Sequence, residues 1–91
     1  MILYHGTNIN VNKLDTPLWV TNDYHLAGHF ALHAQSNKIS TMCGYIYKVS
    51  VDDVFLIIKD KRRYIINGGD IKILEKQKVI YDRLTGFKKA D

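Results

Sequence analysis

Apolar positions along the chain change their period several times, and the changes divide it into short elements. Residues 1–5 are an apolar start that Gly6, Thr7 and Asn8 interrupt, which predicts a short strand running into a turn. Residues 8–16 are polar and rich in Asn, the composition of a loop. Pro17 opens a second strand over 18–21, where Leu18, Trp19, Val20 and Thr21 suit a half-buried pleat. Thr21, Asn22 and Asp23 each offer a side-chain oxygen to the unpaired N–H groups of a helix start. The helix predicted over 24–35 gathers Leu26, Ala27, Phe30, Ala31 and Ala34 on one side and His25, His29 and His33 on the other. A polar loop over 36–42 leads into residues 44–51, where Tyr45, Tyr47, Val49 and Val51 alternate with Ile46, Lys48 and Ser50 at the period of a strand. The continuous apolar run 54–58 predicts a buried strand, 59–63 a charged turn and 64–66 a further short strand. Asn67-Gly68-Gly69-Asp70 is a strong turn signal. Residues 71–74 and 78–81 read as two short strands around a turn at 75–77, and the last ten residues as a polar end that frays.

Five to seven short strands and one clear helix make an α+β chain with a twisted, mainly antiparallel sheet. With 91 residues there is room for one domain, expected over 1–82 with a polar tail over 83–91. A hydrophobic fraction of 46% and a charged fraction of 24% exclude a disordered tail, a collagen-like repeat and a disulfide scaffold. No apolar run approaches the ~18 residues that cross a bilayer, and the N-terminus lacks a basic region followed by an apolar stretch. Neither membrane attachment nor a secretory signal is therefore expected. Cys43 is the one cysteine, which excludes an internal disulfide and suits a cytoplasmic chain; it reads as a small buried hydrophobe. Thirteen Lys and Arg against nine Asp and Glu give a net charge of +4, enough to favour anionic ligands.

Three constellations carry possible chemistry. The ladder His25, His29, His33 has i, i+4 spacing, but it spreads its imidazoles along the helix and lets only two share an ion, so no metal site is expected. Cys43 sits beside Gly44 with no base or helix start to activate a thiolate. Tyr4-His5-Gly6-Thr7 is more compact: an imidazole for a sugar hydroxyl, a residue without Cβ where a ligand can approach the backbone, and a hydroxyl. There is no G-x-G-x-x-G and no G-x-x-x-x-G-K, so those phosphate cradles are absent.

Taken in order, Leu3-Tyr4-His5-Gly6-Thr7, Leu18-Trp19-Val20-Thr21-Asn22-Asp23, Ala27-Gly28-His29-Phe30-Ala31, Gly44 to Val51, Tyr64-Ile65-Ile66 and Asp70-Ile71-Lys72-Ile73 resemble the ADP-ribosyltransferases. The branch is the one with a His-Tyr-Glu signature, which holds the diphtheria-toxin-like enzymes, the poly(ADP-ribose) polymerases and many small bacterial and phage domains. A weaker similarity is to the RNA 2′-phosphotransferases, which share the opening Tyr-His-Gly-Thr. The resemblance covers residues 2–74 and implies a small ADP-ribosyltransferase-like fold. It implies that NAD is the substrate, that nicotinamide is released, and that ADP-ribose passes to a protein or nucleic-acid acceptor. His5 would hydrogen-bond the nicotinamide ribose, the Gly6 backbone would hold the carboxamide, and Thr7 would lie near the ribose. Trp19 stands where the family has its Tyr, with Tyr24 as the other candidate aromatic.

At one position the resemblance breaks. The family's acidic residue immediately precedes its aromatic-aliphatic-aliphatic strand; here that slot is Arg63. A carboxylate there favours the positive charge that builds on the ribose carbon as nicotinamide leaves, and a guanidinium opposes it. Asp60 or Asp70 would have to replace it. An arginine suits phosphate instead, through its planar fork. The alternative implied by Arg63 is an inactive ADP-ribosyltransferase-like module, such as a phage-encoded inhibitor or a degenerate toxin, binding NAD, ADP-ribose or a protein partner.

Overall fold

A computed structural model describes residues 1–33 and 43–90. The expected helix end at residues 34 and 35, the loop over 36–42 and residue 91 lie outside the described residues. Seven strands and one helix follow in the order β1 Ile2–Thr7, β2 Leu18–Thr21, α1 Tyr24–His33, β3 Cys43–Ser50, β4 Leu56–Ile58, β5 Arg63–Ile66, β6 Lys72–Asp82 and β7 Gly86–Lys89. A single 3₁₀ turn, Asp53–Phe55, precedes β4. The strands form one sheet in the order β4-β5-β2-β1-β3-β6-β7, with every neighbouring pair antiparallel. The chain is thus α+β, with the strand count at the top of the expected range.

Each face of the sheet has its own cover. Leu3, Leu18, Val20, Tyr47, Val49 and Ile66 pack on one face under Leu14 and Val11 of the 8–17 loop. On the other face Ala27 and Ala31 of α1 pack against Ile46 and Val79. The helix comes close because β1 and β3 are bare beneath it. A Cβ at Gly6 would collide with the Ala27 carbonyl, and one at Gly44 with the Ala31 carbonyl. Gly6 is therefore required first by helix–sheet packing. Asp23 is the cap that forms: its Oδ1 accepts from His25 N and Leu26 N at 3.0 and 3.3 Å.

Five sequence expectations are corrected. Gly6 and Thr7 do not interrupt the first strand: β1 runs through both, paired with Ile46 and Tyr45 of β3. The helix buries Ala27, Gly28, Ala31 and Leu32, while Leu26 and Phe30 stay half-exposed toward the β2–β5 side. The apolar run 54–58 is no buried strand: it is a 3₁₀ turn and then an edge strand, with Val54 76% and Ile58 71% exposed. No turn forms at 75–77; β6 runs through it, because β3 offers a pairing partner from Cys43 to Ser50 and a register shift at Lys48/Val49 absorbs the irregularity. The C-terminal residues do not fray as a tail, since Gly86–Lys89 pair with Val79–Asp82 and Phe87 seats its ring on Gly28 of α1. Gly86 has φ +94°, which the tight turn between β6 and β7 requires.

Candidate functional site

A cleft of about 460 Å³ opens at the Thr7 end of β1. His5, Gly6 and Thr7 of β1 line it together with Asn8 and Ile9 of the loop, and Trp19, Phe30 and Arg63 complete it. Five of the residues singled out from the sequence, His5, Gly6, Thr7, Trp19 and Arg63, thus share one space. Trp19 lies between Leu18 and Val20, both buried in the loop-side core, so alternation turns its indole to the other face, where it is 53% exposed.

His5 is held in a defined state. Its Nδ1 is 2.7 Å from the Trp19 carbonyl oxygen. A carbonyl can only accept, so Nδ1 carries the proton. Burial holds the imidazole pKa below its ordinary value, and the bond to Trp19 offsets this in part. A neutral ring protonated at Nδ1 leaves Nε2 with a lone pair, an acceptor for a ligand hydroxyl. The same bond ties the first strand to the second at the cleft, close to where Tyr4 pairs with Thr21.

The loop wall of the cleft is anchored from beneath. The hydroxyl of fully buried Tyr47 donates to Ile9 O at 2.7 Å and accepts from Val11 N at 2.8 Å. Its ring centroid lies 6.2 Å from that of His5. Lys76 Nζ reaches from β6 to Asn10 Oδ1 at 2.7 Å and Asn12 Oδ1 at 3.3 Å. Sequence reading assigned none of these roles, and it placed Phe30 in the core. The alternation of β3 puts Tyr47 on one face with Val49 and Val51, and a phenol's polar end needs a partner when buried; that need was the available signal.

The remaining candidates lie elsewhere. Tyr24 packs between Tyr4 and Phe87, at ring-centroid distances of 5.4 and 5.8 Å, and does not line the cleft. Its buried hydroxyl has no hydrogen-bond partner among the described residues, and burial raises its pKa. Asp60 is also outside the cleft. Its Oδ2 takes Arg63 Nε and Nη2, each at 2.6 Å, while its Oδ1 accepts from Arg62 N and Arg63 N. The Arg63 bond is the main reason that the Asp60 carboxyl sits below the usual carboxylate range. Asp70 follows β5 beyond its Ile66 end, whereas Arg63 is at the opposite end of that strand. No carboxylate is among the described residues lining the cleft. Cys43 is half-buried rather than buried, opposite Ile80 at the start of β3. His25 and His29 flank a small cavity of about 130 Å³ against Phe87. No group of three or more His, Cys, Asp or Glu among the described residues could hold a metal ion.

Fold and site together define an α+β protein: one antiparallel sheet, a helix on one face, and a cleft carrying an imidazole, an indole and a guanidinium. Among family models, curated proteins and solved structures, nothing matches the chain. Among the described residues no helix is long and apolar enough to cross a membrane.

Proposed function

We propose that the chain is an ADP-ribosyltransferase-like domain that binds NAD in this cleft. In this reading its reaction is transfer of ADP-ribose to a protein or nucleic-acid acceptor, with nicotinamide released. The observation that carries it is the meeting of His5, Gly6, Thr7 and Trp19 in one space of about 460 Å³, although Trp19 is separated from the others by more than ten residues of chain. The Nε2 lone pair of His5 would accept from a ribose hydroxyl. The Trp19 indole would lie against the nicotinamide ring, whose flat face it can stack on.

Arg63 favours a second reading, a module that binds NAD or ADP-ribose without turning it over. Charge developing on the ribose carbon would meet a guanidinium in the cleft, and Asp60, a candidate carboxylate, lies outside the cleft and pairs with that same guanidinium.

Trp19 is the one tryptophan, so its emission reports on the cleft alone. Titration with NAD should change that emission, with matching heat in calorimetry. His5→Ala should weaken binding about tenfold or more, the loss of one well-placed polar contact in a partly buried site. No change in emission and no heat at millimolar NAD would refute the assignment. Nicotinamide appearing at a steady rate would establish transfer; binding without it would establish the inactive module.

A further inference from the structure

The sheet ends in two edges of opposite character. β7 carries Lys88 and Lys89, charges of the kind that keep an edge strand from pairing with another chain. β4 carries no charge, and Val54, Ile57 and Ile58 are exposed along it. Its outer side pairs with no strand among the described residues. An exposed apolar edge of this kind is a template for a further strand.

The backbone of β4 shows which groups are open to pairing. Asn67 N donates to Phe55 O and Lys59 N to Arg63 O, both at 3.0 Å, so residues 55 and 59 bond inward to β5. In an antiparallel pair such residues alternate with ones whose N–H and C=O point away, which turns Leu56 and Ile58 outward. Leu56 N–H is engaged with Asp53 O, and this leaves Leu56 O and both groups of Ile58 on the open side. Side chains alternate as well. Leu56 packs against the loop-side core and Ile58 continues its face, while Ile57 is level with Ile65 and Trp19 on the helix side.

Charge runs along this edge with a direction. Asp52 and Asp53 precede the strand, and Lys59 and Lys61 follow it. Asp53 lies 3.4 Å from the Met1 amine, an exposed and therefore weak pair. Lys59 and Lys61 make no ion pair among the described residues. Asp60 pairs with Arg63, and Arg62 with Asp23. The edge is thus complementary to its own reverse: a copy turned end for end sets acidic against basic and apolar against apolar.

We propose that β4 pairs with β4 of a second copy of this chain, antiparallel about a two-fold axis at Ile57, so that one sheet runs through both copies. The inference is independent of what the cleft binds. In this register Ile57 meets Ile57 of the other copy, Leu56 lies opposite Ile58, and each Ile58 N–H donates to Leu56 O across the axis. An axis at Ile58 would instead set Ile57 opposite Lys59 and Leu56 opposite Asp60, so the match of apolar side chains selects the first register. Strands this short bury little surface, and the dimer is weak, with a Kd on the order of 10–100 µM.

Sedimentation velocity on the full chain, from about 1 to 500 µM, should show monomer passing into dimer. Ile57→Lys sets like charges face to face at the axis, and Ile58→Lys removes the apolar contact with Leu56; each should raise Kd more than about tenfold. Denaturant midpoints at low concentration, where the chain is monomeric, should stay near wild type for Ile58→Lys, which separates lost pairing from lost folding. Lys59→Glu/Lys61→Glu should weaken the dimer too, since it sets like charges against Asp52 and Asp53. In a Cys43→Ser background, Ile57→Cys should cross-link two copies on mild oxidation, because residues facing each other in a non-hydrogen-bonded pair have Cα atoms about 4.5 Å apart, within disulfide reach. A chain that stays monomeric throughout, or a dimer that both lysine variants leave intact, would overturn the proposal. So would a dimer in which Ile57→Cys fails to cross-link, since its axis would lie elsewhere. A monomer that takes up an extended apolar peptide at this edge would also overturn it, because the edge would then belong to a strand of another protein.

Discussion

His5 concentrates most of the chemistry that one residue can supply here. Its proton is on Nδ1, facing the Trp19 carbonyl, and burial disfavours a second proton. NMR titration of this imidazole should therefore give a midpoint below the ordinary value of about 6.5. The linkage has a definite sign: because the folded pKa is depressed, the neutral ring's contribution to stability is fully present above about pH 6.5 and is lost as pH falls through the folded value. Ligand affinity should fall over the same range, since protonation converts Nε2 from acceptor to donor. A midpoint at or above 6.5 would contradict this account. Tyr47 acts one layer below. Tyr47→Phe should cost about 1–3 kcal/mol, because it leaves Ile9 O and Val11 N without their phenol partner. It should also weaken NAD binding and speed amide exchange in residues 8–12, whereas loss of packing alone would leave that exchange unchanged.

Among the elements, the clearest divergence from sequence pattern is at the two edges of the sheet. The run 54–58 is as apolar as a core strand, yet it forms the exposed edge strand β4. The polar end 83–90 carries β7, held by one aromatic ring. Phe87 fills the space over Gly28 and touches the rings of Tyr24 and His25. Phe87→Ala should destabilise the fold by about 2–3 kcal/mol, measured by denaturant midpoint, because half-buried aromatic area is lost and a gap is left against α1. Ile58→Lys on the opposite edge should change stability by no more than about 0.5 kcal/mol, since its side chain already meets solvent. Hydropathy alone ranks these two positions the other way round.

At the scale of the whole molecule, the seam between helix and sheet decides whether the cleft exists. The backbones of β1 and β3 touch α1 through Gly6 and Gly44, and α1 carries Phe30, which lines the cleft together with Trp19. Gly6→Ala should push the helix off the sheet by more than side chains can absorb. Circular dichroism should show a large fall in melting temperature, and NAD binding should be lost with it. A Gly6→Ala variant with unchanged melting temperature would mean that the seam is looser than this packing implies.

Several features were legible in the order of residues alone. The short strands β1, β2 and β5, the strand period of β3, a helix cap within residues 21–23 and the turn at Gly68 and Gly69 are local properties, set by side-chain alternation, short-range hydrogen bonding and backbone freedom. Of the site residues that the resemblance implies, His5, Gly6, Thr7, Trp19 and Arg63 line one cleft, and Tyr24, Asp60 and Asp70 do not. Other features waited on the folded sheet. Whether an apolar run is buried depends on its place among the strands, and Leu56–Ile58 fell at the edge. Whether polar residues pair depends on a neighbour, and β3 drew Glu75–Gln77 into β6. Asp60, a candidate for the cleft, does not line it and pairs with Arg63 instead. Each outcome depends on residues distant in the chain that meet only after folding, and no local period encodes them.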